Sequence, residues 1–298
     1  MIEVVYSEAM LAPDQGFSPS ASKPRAVVEA WIAEFPDLRV IEPGPVSEDE
    51  LCRAHDRRFV EDIIDLRAPN GFGTCSKEVV SSLFYTSGAM LTAARRAIDT
   101  GRPVAAPCSG FHHAGWSEAR GFCTFNGLMV TALALQAERS GLRIGILDYD
   151  YHYGDGTDDI LEQLDPRDIV HVTAGASWRE PSEAKAFLDH IEWDLDLMAR
   201  CDVVLYQAGA DPHIDDPLGG FLTSQQMADR DEKVFRGLKA RGVPVAWNLA
   251  GGYQRPMSRV VDLHLATMRM CRRSAEKPEP TIAPGVPSSY ANDSGTVA

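Results

Sequence analysis

Apolar and polar positions along this chain switch repeatedly between two periods. Short continuous apolar runs at residues 3–6, 104–107, 143–148, 169–173, 203–207 and 244–249 read as buried strands. Between them, residues 26–34, 79–98, 126–140, 158–163, 183–199, 224–241 and 257–272 carry helical patterns. Strands that are apolar throughout and alternate with helices predict an α/β fold, with a mostly parallel sheet covered on both faces. No repeat or linker interrupts residues 1–274, which are expected to form a single domain. Residues 275–298 are rich in Pro, Ser and small side chains and lack periodicity, so they are expected to form an extended or disordered tail.

A length of 298 residues suits one large domain or two small ones, and 44% apolar with 24% charged residues is ordinary for a globular protein. No run of about 18 apolar residues occurs, so no membrane span is expected. The first residues lack the basic region and apolar core of a signal peptide, and a cytoplasmic protein is expected. The six cysteines, at 52, 75, 108, 123, 201 and 271, contain no Cys-x-x-Cys pair. That argues against a zinc ribbon or redox motif and fits reduced thiols, most of them in the core. A net charge of −14 makes nucleic acid a poor partner. It favours cationic substrates such as polyamines or lysine-rich peptides, although acidity also serves solubility alone.

The chemistry concentrates where apolar runs end. Residues 148–157 read Asp-Tyr-Asp-Tyr-His-Tyr-Gly-Asp-Gly-Thr, placing three carboxylates and a histidine just past a strand. Alternate side chains of an extended segment share a face, so Asp150 and His152 can hold one ion together. His112 and His113 follow the strand at 104–107, Asp211 follows that at 203–207, and Gly251-Gly252-Tyr253 closes that at 244–249. Each has an ordinary explanation: an Asp-x-His is common, Asp211-Pro212 starts a turn, and Gly-Gly makes a loop. In a parallel sheet, however, all four ends share one rim, where the sites of open α/β folds form. Asp150, His152 and Asp211 then offer three protein ligands and leave a position for water, the arrangement of catalytic zinc. Two adjacent histidines can accept and donate protons, with Asp148 and Asp155 as spare carboxylates to orient them. Tyr253 can hydrogen-bond a developing oxyanion. Metal-assisted amide hydrolysis is the reaction class these groups suit.

The motifs Phe111-His112-His113-Ala114, Gly121-Phe122-Cys123-x-Phe125-Asn126, Asp148-x-Asp150-x-His152-x-Gly154-Asp155-Gly156-Thr157, Gly209-Ala210-Asp211-x-His213-x-x-Asp216-Pro217-Leu218-Gly219-Gly220 and Gly251-Gly252-Tyr253 occur in this order. Together they resemble the histone deacetylase and acetylpolyamine amidohydrolase superfamily, over about residues 20 to 270. The stretches at 51–60 and 70–73, including His55, fit as well. The resemblance implies the arginase/deacetylase α/β fold and a zinc ion on Asp150, His152 and Asp211. It implies His112 and His113 as tandem catalytic histidines, paired with Asp148 and Asp155, and His113 as the general base. It implies Tyr253 as the carbonyl-polarising residue and Gly121 and Phe122 as tunnel walls. A potassium ion near Asp148, Asp150, His152 and Thr173 is also implied. The substrate would be an acylated lysine or an acetylated polyamine or other small amine. A homodimer is compatible with the chain, whose oligomeric state does not follow from its sequence.

The chain departs from the family pattern at three places. Tyr153 stands where many members carry a second histidine and is expected to stay off the metal. Residues 174–181 lack the usual Pro-x-Thr-Gly pattern, and the loop at 10–25 has Ser-Pro-Ser-Ala-Ser-Lys-Pro-Arg where a His-Pro-Glu-type stretch is common. Both loops are expected to shape substrate access. Three competing readings are an acetylpolyamine-specific enzyme, a catalytically silent acyl-lysine binder and an arginase-type ureohydrolase. The last would need carboxylates such as Asp215 and Asp216 to hold a second metal.

Overall fold

The computed structural model describes residues 1–14 and 16–276. Its seven strands are β1 (Glu3–Val5), β2 (Arg39–Ile41), β3 (Val104–Ala106), β4 (Ile144–Asp148), β5 (Ile169–Thr173), β6 (Val203–Gln207) and β7 (Val245–Asn248). They form one parallel sheet in the order β2-β1-β3-β7-β6-β4-β5. The described helices are α1 (Lys23–Glu34), α2 (Glu48–Ala54), α3 (Arg57–Ile64), α4 (Lys77–Thr100), α5 (Gly127–Glu138), α6 (Asp155–Leu164), α7 (Ala184–Met198), α8 (Ser224–Ala240) and α9 (Ser258–Ala275).

Alternation along each central strand divides the core in two. Val203, Leu205, Ile144, Ile146 and Ala246 pack with Leu128, Met90 and Val60 on one face. Val204, Tyr206, Leu147, Val245 and Trp247 pack with Trp31, Phe187, Phe235 and Met268 on the other. A strand buried on both faces needs apolar side chains at every position, which is why these runs are continuous.

Register matters most for function. Ala106 pairs with Asn248, Asn248 with Gln207, and Gln207 with Asp148. The four chemistry-bearing segments therefore leave the sheet side by side and at one level, from β3, β7, β6 and β4.

The six expected strands are all present, and β2 is additional. It is an edge strand with Arg39 and Val40 exposed, and it lacks the buried apolar run that marks the equally short β1 and β3. Helices α2 and α3 were also not expected; each is shorter than three turns. The Ser47-x-x-Glu50 capping box at the start of α2 was the available signal. Helix α1 begins three residues early, so part of the expected access loop is buried: Ser18, Lys23 and Pro24 lie inside the fold. The expected tail lies outside the described residues from 277 onward, and residue 275 still belongs to α9.

Trp31 is the largest of the fully buried side chains in α1. Its ring centroid lies 5.3 Å from that of Trp247, and its indole N–H donates to the His264 carbonyl at 3.1 Å. Replacing it with Ala removes this packing and leaves a cavity between α1, β7 and α9. A loss of about 3–5 kcal/mol is expected, read as a lower urea midpoint with an unchanged slope.

Candidate active site

Asp150 and His152 stand in the turn just past β4, and Asp211 stands past β6 on the neighbouring strand. The His152 Nδ1 lies 3.0 Å from Asp211 Oδ2 and 3.3 Å from Asp150 Oδ1. One donor atom from each of the three residues falls within 4.8 Å of the others, the one such group of His, Cys, Asp and Glu among the described residues. Main-chain groups occupy the remaining carboxylate oxygens. Asp150 Oδ2 accepts from Gly251 N at 3.0 Å, and Asp211 Oδ1 accepts from Tyr151 N at 3.2 Å.

The donor set fits a divalent cation. Both carboxylates are buried, so their charges need a compensating one close by. Here the imidazole of His152 serves: burial opposes its protonation, yet bonds to Asp150 and Asp211 raise its pKa to about 11. A cation between the three donors would take over that compensation and leave a neutral histidine ligand.

His112 and His113 sit beside this cluster, with ring centroids 4.1 Å apart. His112 Nδ1 lies 2.7 Å from Asp148 Oδ2, and His113 Nδ1 lies 2.7 Å from Asp155 Oδ1. Each acid therefore fixes a ring orientation and turns the Nε2 atom the other way. The His112 Nε2 atom comes within 3.6 Å of Asp150 Oδ1, and the His113 ring meets that of His152 at 5.8 Å. The two rings differ in charge preference. Burial works against protonating His112, but Asp148 and Asp150 outweigh it and raise its pKa to about 9. For His113, burial and the neighbouring His112 charge prevail over Asp155, and its pKa falls. A neutral imidazole beside a charged one is the pairing that proton acceptance and electrostatic support require.

Tyr253 is almost wholly buried, and burial together with the Asp211 and Asp150 charges drives its pKa upward, keeping the hydroxyl protonated. Its main-chain N–H donates to Asp216 Oδ2 at 2.7 Å. The ring packs against Phe122 at 5.7 Å and stacks on Phe17 at 6.0 Å, and Phe122 meets Phe72 at 5.9 Å. One aromatic wall thus runs along the site. Gly121 (φ 54°) and Phe122 (φ 65°) are both left-handed. Gly121 lies flush on the His113 ring, where a Cβ would collide with it.

Several supporting residues carried no chemical signature in the sequence. Lys23 is fully buried and donates from Nζ to the carbonyls of Ala250 and Gly251, each at 2.5 Å. Burial draws its pKa down to about 8 against the opposing pull of Asp211 and Asp150. Arg230, also fully buried, donates to the carbonyls of Tyr149 and Gly209 at 3.0 and 2.9 Å. Gln207 and Asn248, the last residues of β6 and β7, bridge the strand ends. Gln207 Nε2 donates to Asp148 Oδ1 at 3.0 Å, and its Oε1 accepts from Phe111 N at 3.2 Å. Asp216, considered above as a ligand for a second metal, is committed to the amides of Tyr253 and Leu218.

Other expected residues stand apart from the cluster. Tyr153 is over a third exposed and bonds to Asp158, away from the three donors. Thr173 pairs in register with Asp148, but its hydroxyl accepts from Gly154 N at 3.1 Å, a use that needs no cation. His55 ties α2 to α5, with Nδ1 on the Gly115 carbonyl and Nε2 accepting from Asn126 N. Of the two variable loops, 174–181 lays Arg179 over the Tyr151 ring at 5.5 Å.

A parallel α/β sheet carrying three clustered donors that could hold a cation and two acid-oriented histidines defines the class of hydrolase that the site suits. Residues 20–174 match the family model of the histone deacetylase domain, more than half of the chain, and the chain belongs to that family. A probable deacetylase of Methanothermobacter thermautotrophicus is 24% identical, with 91% of this chain and 90% of that protein covered. Histone deacetylase 2 of Arabidopsis thaliana is 28% identical over 74% of this chain and 65% of its own length. Acetylpolyamine amidohydrolase 1 of Pseudomonas aeruginosa is 26% identical over 74% and 68%. The crystal structure of the HDA15 HD domain superposes with a TM-score of 0.74 at 19% identity, covering 91% of this chain and 90% of that one. That likeness concerns the fold, the arginase/deacetylase fold. Family membership makes this chain a deacetylase-type amidohydrolase.

Gly251 offers a direct check on the cation centre. A Cβ there would overlap the Asp211 carboxylate. Gly251→Ala should displace Asp211 and weaken divalent-metal retention about 10–100-fold, measured by elemental analysis after dialysis against graded chelator.

Proposed function

We propose that this protein is a zinc-dependent deacylase that hydrolyses an acyl-lysine or an acetylated small amine, with residues 1–274 as its catalytic domain. The observation that carries the reading is the pair of His–Asp couples, His112–Asp148 and His113–Asp155, set against the Asp150, His152 and Asp211 donors. Zinc held by those three residues would polarise the amide carbonyl and acidify a water.

The remaining work belongs to side chains. His113, the more exposed of the two rings and the one whose pKa is lowered, accepts the proton of the attacking water at Nε2. It then delivers a proton to the departing amine. His112, whose proton is held by Asp148 and Asp150, supplies positive charge beside the developing oxyanion. Tyr253 donates its hydroxyl hydrogen to the same oxygen. Phe122, with Gly121 beneath it, packs the methylene stem of the substrate and excludes water. No catalytic step is assigned to potassium.

An acetylpolyamine-specific enzyme is a narrower form of the same reading, and the matched relatives include members of both kinds. A ureohydrolase is disfavoured by the commitment of Asp216 to two main-chain amides. A silent binder is disfavoured because both histidines keep their orienting acids.

Zinc-loaded protein should hydrolyse at least one substrate among acetyl-lysine peptides, longer acyl-lysines and acetylpolyamines. Stoichiometric zinc with no turnover on any of them would rule the reading out. His113→Ala should lower kcat about 10²–10⁴-fold with zinc retained. Tyr253→Phe, which loses only the hydroxyl, should lower it about 10²–10³-fold.

A further inference from the structure

The two histidines share one wiring but rest on different supports. Behind His112, Asp148 is fully buried, and its Oδ1 takes the Gln207 side-chain amide at 3.0 Å and the Asp150 main-chain amide at 3.1 Å. Both donors are neutral. Behind His113, the Asp155 side chain is 35% exposed at the first turn of α6. Its Oδ1 accepts from His113 Nδ1 and from Gly156 N at 2.9 Å, and its Oδ2 faces Arg120 Nη2 at 3.2 Å. The same guanidinium donates from Nε to the His113 carbonyl at 3.1 Å. Arg120 thus grips both the main chain on which the ring is mounted and the acid that orients the ring.

The segment that delivers Arg120 is itself pinned. Arg120 N donates to Cys123 O at 3.0 Å, and Cys123 N returns a bond to Arg120 O at 2.8 Å. Gly121 then lies against the His113 ring. On its outer side the guanidinium has Glu118 at 3.6 Å, which leaves Nη2 directed at Asp155.

The geometry points to Arg120 as a positioning residue for His113, acting through Asp155 and the His113 carbonyl. Without it, a half-exposed carboxylate keeps its main-chain anchor on one oxygen only and can rotate, carrying the imidazole with it. Small displacements of a proton-transfer group are costly to turnover, whereas an ion pair this exposed adds little to stability. The effect should therefore fall on kcat and spare the fold.

The inference rests on the proposed acid–base role of His113. Its test compares the zinc-loaded wild type with Arg120→Ala and Arg120→Lys, on a substrate that the wild type hydrolyses. Arg120→Ala should lower kcat about tenfold, with KM, zinc content and thermal midpoint unchanged. Arg120→Lys should recover part of the loss, and added guanidinium at non-denaturing concentration should rescue Arg120→Ala saturably. Arg236→Ala, at a helix-surface pair with Glu232, serves as the control and should show neither effect. An active wild type whose kcat is unmoved by Arg120→Ala overturns the inference alone. So does a loss that tracks zinc content or stability and is not rescued by guanidinium. A zinc-loaded wild type that hydrolyses no acyl amide overturns the deacylase reading and this inference with it.

Discussion

Two carboxylates buried within reach of one imidazole nitrogen are the constraint around which the rest of this molecule is arranged. Like charges out of water repel strongly and persist only where donors and counter-charges are already in place. Asp150 and Asp211 meet that condition through the amides of Gly251 and Tyr151 and the imidazole of His152. Beneath them, Lys23 and Arg230 contribute two buried cations. Neither touches a carboxylate of the cluster. They hold the carbonyls of Ala250, Gly251, Tyr149 and Gly209, the loop segments from which the cluster is built. Main-chain amides on the carboxylates and buried cations on the loop carbonyls together hold the three donors in place.

The sheet makes such a centre attainable. Parallel strands in register end together, and Ala106, Asn248, Gln207 and Asp148 form a continuous row across β3, β7, β6 and β4. Gln207 and Asn248 turn that row into a hydrogen-bonded platform. From it the four loops need only a few residues each to bring their side chains together. A short reach keeps the entropy cost of ordering low and the geometry tight. The same logic separates the two histidines: one acid stands on the buried platform, and the other stands at a helix start in partial contact with solvent.

The approach to the centre is asymmetric. Phe17, Phe72, Phe122 and Tyr253 form an aromatic side, and Arg179 covers Tyr151. An apolar wall of this kind suits an aliphatic stem, and Tyr253 forms part of it. Phe17 and Arg179 come from the two loops in which the chain departs from its family's common pattern, whereas Phe72, Phe122 and Tyr253 lie in stretches that match it.

Composition and pattern by themselves determined the α/β class and six of the seven described strands, and nominated Asp150, His152 and Asp211 as donors that the fold brings together. Those features depend on local rules: continuous apolar runs for doubly covered strands, and donor residues placed just past them. The edge strand β2 escaped because Arg39 and Val40 face solvent and give it no buried apolar run, and α2 and α3 because seven or eight residues carry too little periodicity. Part of the loop expected at 10–25 is buried instead, for a related reason. A lysine reads as exposed unless its partners are known, and those of Lys23 are carbonyls more than 220 residues away. The same holds for Arg230, which grips Tyr149 and Gly209, for Gln207 on Asp148, and for Asp216 at the Tyr253 amide. Only the folded chain decided these, because a hydrogen bond between distant segments exists once packing has brought its two ends together.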